Sequence, residues 1–188
     1  NRTTPFTVEI YNHKTLYKTV KISKGNPGKI YIDRELMITD GYGDLFTPNK
    51  MGLHLVGEYK FFAHFRFAVR NHAEIITSKG KAELGKVFYA AMAENPVGRS
   101  YVNSSIGITA TEDNTSVKLS GYNAGVVFSN GVDGVSSPNL NTVLNKGESY
   151  IVDVISETSQ ANLFGLIGTK IEADKPITVT NGNFDAIS

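Results

Sequence analysis

The 188-residue chain contains no cysteine and no tryptophan. Without cysteine there is no disulfide framework, no thiolate zinc site and no thiol nucleophile. Export is left open, since disulfides are only one sign of it. Charge of one sign is also missing, because 19 Lys and Arg against 18 Asp and Glu leave a formal net charge of +1. Nucleic-acid-binding modules concentrate basic residues on one face. Only Arg66 and Arg70, around Phe65 and Phe67, approach that pattern, so no nucleic-acid partner is expected. No apolar run comes near the ~18 residues that mark a membrane-spanning helix, so no membrane insertion is expected. Helical periodicity is scarce too. Ala82 to Ala93 can be drawn as an amphipathic helix, but Gly85 within it and the pair Phe88-Tyr89 favour a strand. No secretory leader precedes the strand-like start at Asn1, and both ends read as interior sequence. The chain is therefore expected to be a piece of a longer protein.

What is present is alternation with period two, the mark of half-buried strands. Phe6, Val8 and Ile10 share one face, and Leu16, Val20 and Ile22 lie on nearby runs. In the longest apolar tract, Phe61, Ala63, Phe65 and Phe67 point to one side, with Phe62, His64, Arg66 and Ala68 on the other. Ile106 to Thr111, the polar turn Glu112-Asp113-Asn114 and the returning Val117 and Leu119 read as a hairpin. Later strands are read at 125–129, 149–155, 168–173 and 176–181. Long loops are read at Asp40 to Pro48 and Asn130 to Asn141. The chain also echoes itself. Gly52 to Ala63 aligns with Gly168 to Val179, and the Lys24-Gly25 turn with its strand aligns with the Lys146-Gly147 turn and the strand beyond it. The expected architecture is all-β, an antiparallel β-sandwich built as two duplicated sandwich-like units, 1–97 and 98–188, with a seam near Glu94 to Gly98.

Several of these segments together resemble one family. They are Gly52-Leu53-His54-Leu55, Phe61-Phe62-Ala63-His64, Leu84 to Tyr89, Ala110 to Val117, Leu144 to Tyr150, Gly168 to Ile171 and Lys175 to Val179. The set resembles the IgGFc-binding protein N-terminal domain family, over roughly residues 3 to 183. In bacteria that family is found in large Bacteroidetes surface proteins, including gliding-associated and adhesin-like ones exported by type IX secretion. In lacking cysteine the chain resembles the bacterial branch. Tyr59-Lys60 departs from the usual Lys-Pro, which Lys175-Pro176 keeps. The resemblance rests on short β motifs and implies a cell-surface or secreted β module with no established catalytic residues.

The residues themselves offer a few chemical sites. Asp40-Gly41-Tyr42-Gly43-Asp44 could give carboxylates to calcium, with Asn49 or carbonyls completing the shell. The same glycines suit a long turn. His54 and His64, read on two arms of one hairpin, could share a metal with Glu58 or Asp44, but a hydrogen-bonded His64 on a half-buried strand is the preferred reading. No Gly-x-Ser-x-Gly elbow or other catalytic constellation occurs, so no enzyme is expected. Loop aromatics can stack on sugars or anchor a protein. The expected ligand surface is Tyr42, Asp44 and Phe46 with His64 and Arg66, and Asp40 and Asp44 are the calcium candidates. The function expected is a non-catalytic extracellular module with an adhesion or stalk role. It would contact glycan or protein through its loops, beside other domains of the same chain. The alternative is a carbohydrate-binding or carbohydrate-active secreted domain.

Overall fold

A computed structural model of the chain describes residues 2–37, 39, 42–69, 72–95 and 102–184. As the alternation requires, the architecture is all-β and every strand pairing is antiparallel. Strands β1 (Phe6–Asn12), β2 (Thr15–Ile22) and β3 (Leu53–Gly57) form a sheet in the order β2-β1-β3. Strands β4 (His64–Val69) and β5 (His72–Thr77) pair with each other alone. The large sheet contains β6 (Gly85–Tyr89), β7 (Asn103–Ala110), β8 (Thr115–Ser120), β9 (Asn139–Leu144), β10 (Ser149–Ile155) and β11 (Lys170–Phe184). Helical structure among the described residues is limited to short 3-10 turns, and no helix is long and apolar enough to cross a membrane. The 82–93 stretch resolves into one such turn, Gly80–Glu83, followed by β6, as Gly85 and its aromatic pair suggest.

The large sheet is organised by β11. Glu172 faces Val87 of β6 on one edge and Lys118 of β8 on the other, while Ile177 faces Gly85 of β6 and Ala110 of β7. Strands β7 and β8 therefore follow one another along the same edge of β11. The reading of 106–119 as a hairpin is corrected accordingly. The turn between them is a corner, at which the chain passes from one wing of the sheet to the other. β9 and β10 turn the same corner one strand further out, pairing with β8 and β7 respectively. The corner is laced by polar contacts. Lys146 N–H donates to Asp113 Oδ1 (3.0 Å), Asn114 N–H to Asn145 Oδ1 (3.3 Å), and Lys175 Nζ to the Asp113 carbonyl (2.5 Å). Lys14 Nζ also lies 2.9 Å from Asp113 Oδ1, and this hydrogen-bonded contact, with the Lys146 N–H, holds the carboxyl below its ordinary range.

The curl follows from one pair of neighbours. Ala90 N–H donates to the Thr169 carbonyl (2.9 Å), and the next residue, Ala91, donates to Asn181 Oδ1 (2.9 Å). Adjacent Cα atoms are only ~3.8 Å apart, whereas a straight strand from 169 to 181 would span ~40 Å. The ends of β11 must therefore face each other at a distance on the order of the ~10 Å that separates packed sheets. Between the wings lies one core, with Ile106, Ile108, Leu119, Val126, Leu144, Val154, Ile171 and Ile177 fully buried. Each such side chain contributes about 1.5–3 kcal/mol by leaving water.

Side-chain amides replace a strand ladder where segment 90–95 closes the open side. Asn181 bonds both polar groups of Ala91, and Asn183 Nδ2 reaches Ala93 O (2.9 Å), Asn95 Oδ1 (2.6 Å) and Ser104 Oγ (3.0 Å). The outer edge of β10 is protected from foreign strands by two segments. Asn49 exchanges both backbone hydrogen bonds with Ser149, and Phe128 bridges to Val154. The same 46–52 segment fastens the smaller sheet, because Ser149 Oγ donates to Met51 O (2.6 Å) and Asn12 Nδ2 to Lys50 O (2.7 Å). At the Asp113 corner Gly147, at φ +79°, lies so close to His13 that a Cβ there would meet the His13 Cα at 2.9 Å.

The segments that echo in sequence share some local geometry. Gly25 and Gly147 both have φ +79°, and Gly52 and Gly168, at +113° and +81°, each precede a strand. Beyond that they differ, since 61–63 lies outside any strand while β11 runs unbroken through the site of the expected second turn. Strand β9 replaces the end of the loop read at 130–141, and 125–129 makes isolated bridges rather than a strand.

Buried polar groups make stability testable at two positions. Asn95 and Ser104 are each only 2% exposed, so Asn183→Ala strips a donor from both. It should cost about 1–3 kcal/mol, read as a lower urea midpoint with an unchanged slope. Asp153 is 4% exposed and accepts from Ser129 Oγ and Asn103 Nδ2, both at 2.5 Å. Burial outweighs these two bonds and raises its pKa above the ordinary 3.8. Its stabilising share is then complete below the unfolded-state value and is lost as pH rises through the folded one. The urea midpoint of the wild type should fall, relative to that of Asp153→Asn, as pH increases from about 4 toward neutrality.

Candidate binding surface

The sequence places its ligand candidates in two regions, and the fold keeps these regions on different elements. In the first, Tyr42 opens the 3-10 turn Tyr42–Asp44, and Asp40 lies outside the described residues. Asn49, a candidate calcium ligand by its sequence position, is engaged locally. Its Nδ2 donates to Asp44 O (3.1 Å) and its Oδ1 accepts from the Met51 N–H (3.0 Å). Phe46 is half-buried, with its ring edge-on to Phe128 at 5.8 Å and its N–H donating to Ile151 O at 2.9 Å. Its φ of +57° is uncommon for a residue with a bulky side chain. The ring contact and the backbone bond hold it there, so Phe46 anchors the loop to the core. The carboxylate of Asp44 is half-buried at the end of the turn.

The second region is the β4–β5 hairpin. Exposure alternates along 61–68, with Phe62, His64, Arg66 and Ala68 exposed and Phe61, Ala63, Phe65 and Phe67 half-buried. The division of faces expected from the sequence is thus present, with the His and Arg side the more exposed one. Register adds what the sequence did not reveal. His64 stands opposite Thr77 and Arg66 opposite Ile75, so β5 completes the face. His64 Nδ1 is hydrogen-bonded to Thr77 Oγ1 (2.9 Å). Arg66 has no ion-pair or hydrogen-bond partner among the described residues. Phe62 is 88% and Ile75 61% exposed, both unusual for apolar side chains of their size. The signal that could have found β5 was the β-branched pair Ile75-Ile76 followed by Thr77.

His54 belongs to β3, in the smaller sheet beside Tyr11, and His64 to the hairpin, so the two imidazoles are not on neighbouring strands. This corrects the hairpin on which their sharing of a metal depended. Among the described residues, no three or more His, Asp or Glu side chains come together as a metal centre would require. On its exposed side the hairpin carries a guanidinium and an imidazole beside the apolar Phe62 and Ile75.

The family model for IgGFc binding protein matches residues 58–186, a span that contains the hairpin and the whole large sheet and leaves out the 42–49 loop. No curated protein and no solved structure matches the chain. The match covers well over half of the sequence, and the chain belongs to the IgGFc binding protein family.

Proposed function

We propose that this chain is a non-catalytic, extracellular binding module. Its protein ligand docks on the hairpin face made by Phe62, His64, Arg66, Ile75 and Thr77. One observation carries the reading: within the matched span, the hairpin presents exposed Phe62 and Ile75 on the same side as Arg66, which has no partner among the described residues. An isolated two-stranded hairpin is marginal in water, so large apolar side chains exposed on it gain from being covered by a partner. Aromatic and Arg side chains at the centre of an interface are the usual energetic anchors. The Fc region of immunoglobulin G, named in the family description, is the first ligand to test. In its parent protein the module would serve adhesion at a bacterial surface, the large curled sheet acting as a rigid support. The loop carrying Tyr42 and Asp44 would form a secondary contact.

In surface plasmon resonance on immobilised Fc, Phe62→Ala and Arg66→Ala should each weaken binding by about tenfold or more. Folding should be unaffected, since both side chains are exposed. Unchanged affinity in the double variant, with Tyr42→Ala or Asp44→Ala abolishing binding, would move the site to the loop. Calcium held by Asp40 and Asp44 would appear as a melting temperature raised by calcium in the wild type and not in Asp44→Ala. Indifference to chelator would remove it.

A further inference from the structure

The wing formed by β6, β11, β8 and β9 has an outer face that plays no part in docking at the hairpin. Alternation fixes which side chains stand on it. On β8, Ser116 and Lys118 are exposed between the buried Thr115, Val117 and Leu119, and on β9 Asn141 and Val143 are exposed. Pairing then aligns them in rows. Tyr89, Lys170, Ser120 and Asn139 make one row, and Val87, Glu172, Lys118 and Asn141 make the next. Beyond these, Ser116 stands opposite Val143, with Asp174 beside it. The lower rows enclose a shallow depression of about 530 Å³ lined by Ser116, Lys118, Asn141, Val143, Glu172 and Asp174.

Part of this polar equipment is already committed. Lys170 Nζ pairs with Glu172 Oε1 at 2.7 Å, and Asp174 Oδ1 accepts from the Ser116 N–H at 2.8 Å. Among the described residues, the Lys118 ammonium, the Asn141 amide and the Ser116 hydroxyl have no partner. Adjacent strands are ~4.8 Å apart and alternate residues along a strand ~6.7 Å apart, so the three groups form a grid of donors and acceptors. Val87, Val143 and Tyr89, which are 52%, 56% and 64% exposed, set apolar surface among and beside them.

We propose that this outer face is a platform for a neutral oligosaccharide. The sugar chain lies across the rows, one ring against Tyr89 and its hydroxyls on Lys118, Asn141 and Ser116. Sugars combine C–H faces, which aromatic rings receive, with hydroxyls that both donate and accept. Lys118 and Lys170 balance Glu172 and Asp174, so the face has no net charge with which to attract a polyanion. A protein partner is disfavoured because Lys, Glu and Asp are depleted at the centres of protein interfaces, and here they stand on the two middle strands, β11 and β8. The shallow form suits a chain passing over the sheet better than a small molecule enclosed in a cavity.

The test uses the chain as it stands, with neutral hexasaccharides derived from cellulose, xylan, mannan, galactan and chitin. A heparin hexasaccharide serves as the polyanionic probe. Backbone NMR shifts locate binding and calorimetry measures it. At least one neutral probe should move the amides of 87–89, 116–118 and 141–143 with a Kd below about 1 mM. Tyr89→Ala and Asn141→Ala, both at exposed positions, should weaken that binding by about tenfold or more, and Phe62→Ala should leave it unchanged. The proposal is overturned if only heparin binds, if no neutral probe perturbs these residues, or if both substitutions leave affinity intact. Loss of Fc binding in the hairpin variants reports on the other surface and is independent of these outcomes.

Discussion

Strand β11 has to bend back until its two ends face each other, and nearly every other feature depends on that bend. Once 169 and 181 lie one sheet spacing apart, β7 and β8 must follow the same edge in succession, and β9 and β10 must follow them. Corners in curled sheets cost ladder hydrogen bonds, and the orphaned groups need substitutes. Here Asp113, Asn145 and Lys175 provide them at the corner, while Asn181 and Asn183 provide them along the open side. The apolar core fills the space between the wings.

This arrangement separates a braced sheet from an exposed hairpin. The large sheet has its β10 edge covered by Asn49 and Phe128 and is tied to the smaller sheet through Ser149 and Met51. Among the described residues the β4–β5 hairpin has no such covering strand, and it keeps large apolar side chains exposed. A module that must hold its shape while presenting a surface benefits from this division. Stability resides in the bent sheet, and exposed Phe62, Arg66 and Ile75 can be changed with little effect on the core. The outer face of the β6–β11–β8–β9 wing is a second surface of different chemistry, flat and charge-balanced where the hairpin is apolar and cationic.

Much of the fold was legible in period-two alternation. The faces of 61–68, the inward set Phe6, Val8 and Ile10, and the strand character of 85–89 all follow from spacing and residue type. The hairpin read at 106–119 was not correct, because the turn residues Glu112, Asp113 and Asn114 suit a corner as well as a hairpin. Turn chemistry specifies local backbone geometry and leaves open which strands lie beside it. For the candidate residues, the sequence placed His64 and Arg66 on one face but could not supply Thr77 and Ile75, since partnering across strands is a matter of register. Phe46 looked like a loop aromatic open to a ligand, and only the position of Phe128 reveals it as an anchor.

By itself, then, the sequence determined the all-β class, the inward and outward sides of the clearest alternating strands, and the membership of a family of binding proteins. These depend on short-range order, which alternation, turn residues and local motifs encode within a few positions. The tertiary structure alone decided that β11 serves both wings, that His54 and His64 part company, and that Lys118 and Asn141 share one sheet face with Tyr89. Those outcomes come from pairings between residues far apart in the chain. Their register is set by which apolar faces can be buried together, and no short stretch of sequence contains that information.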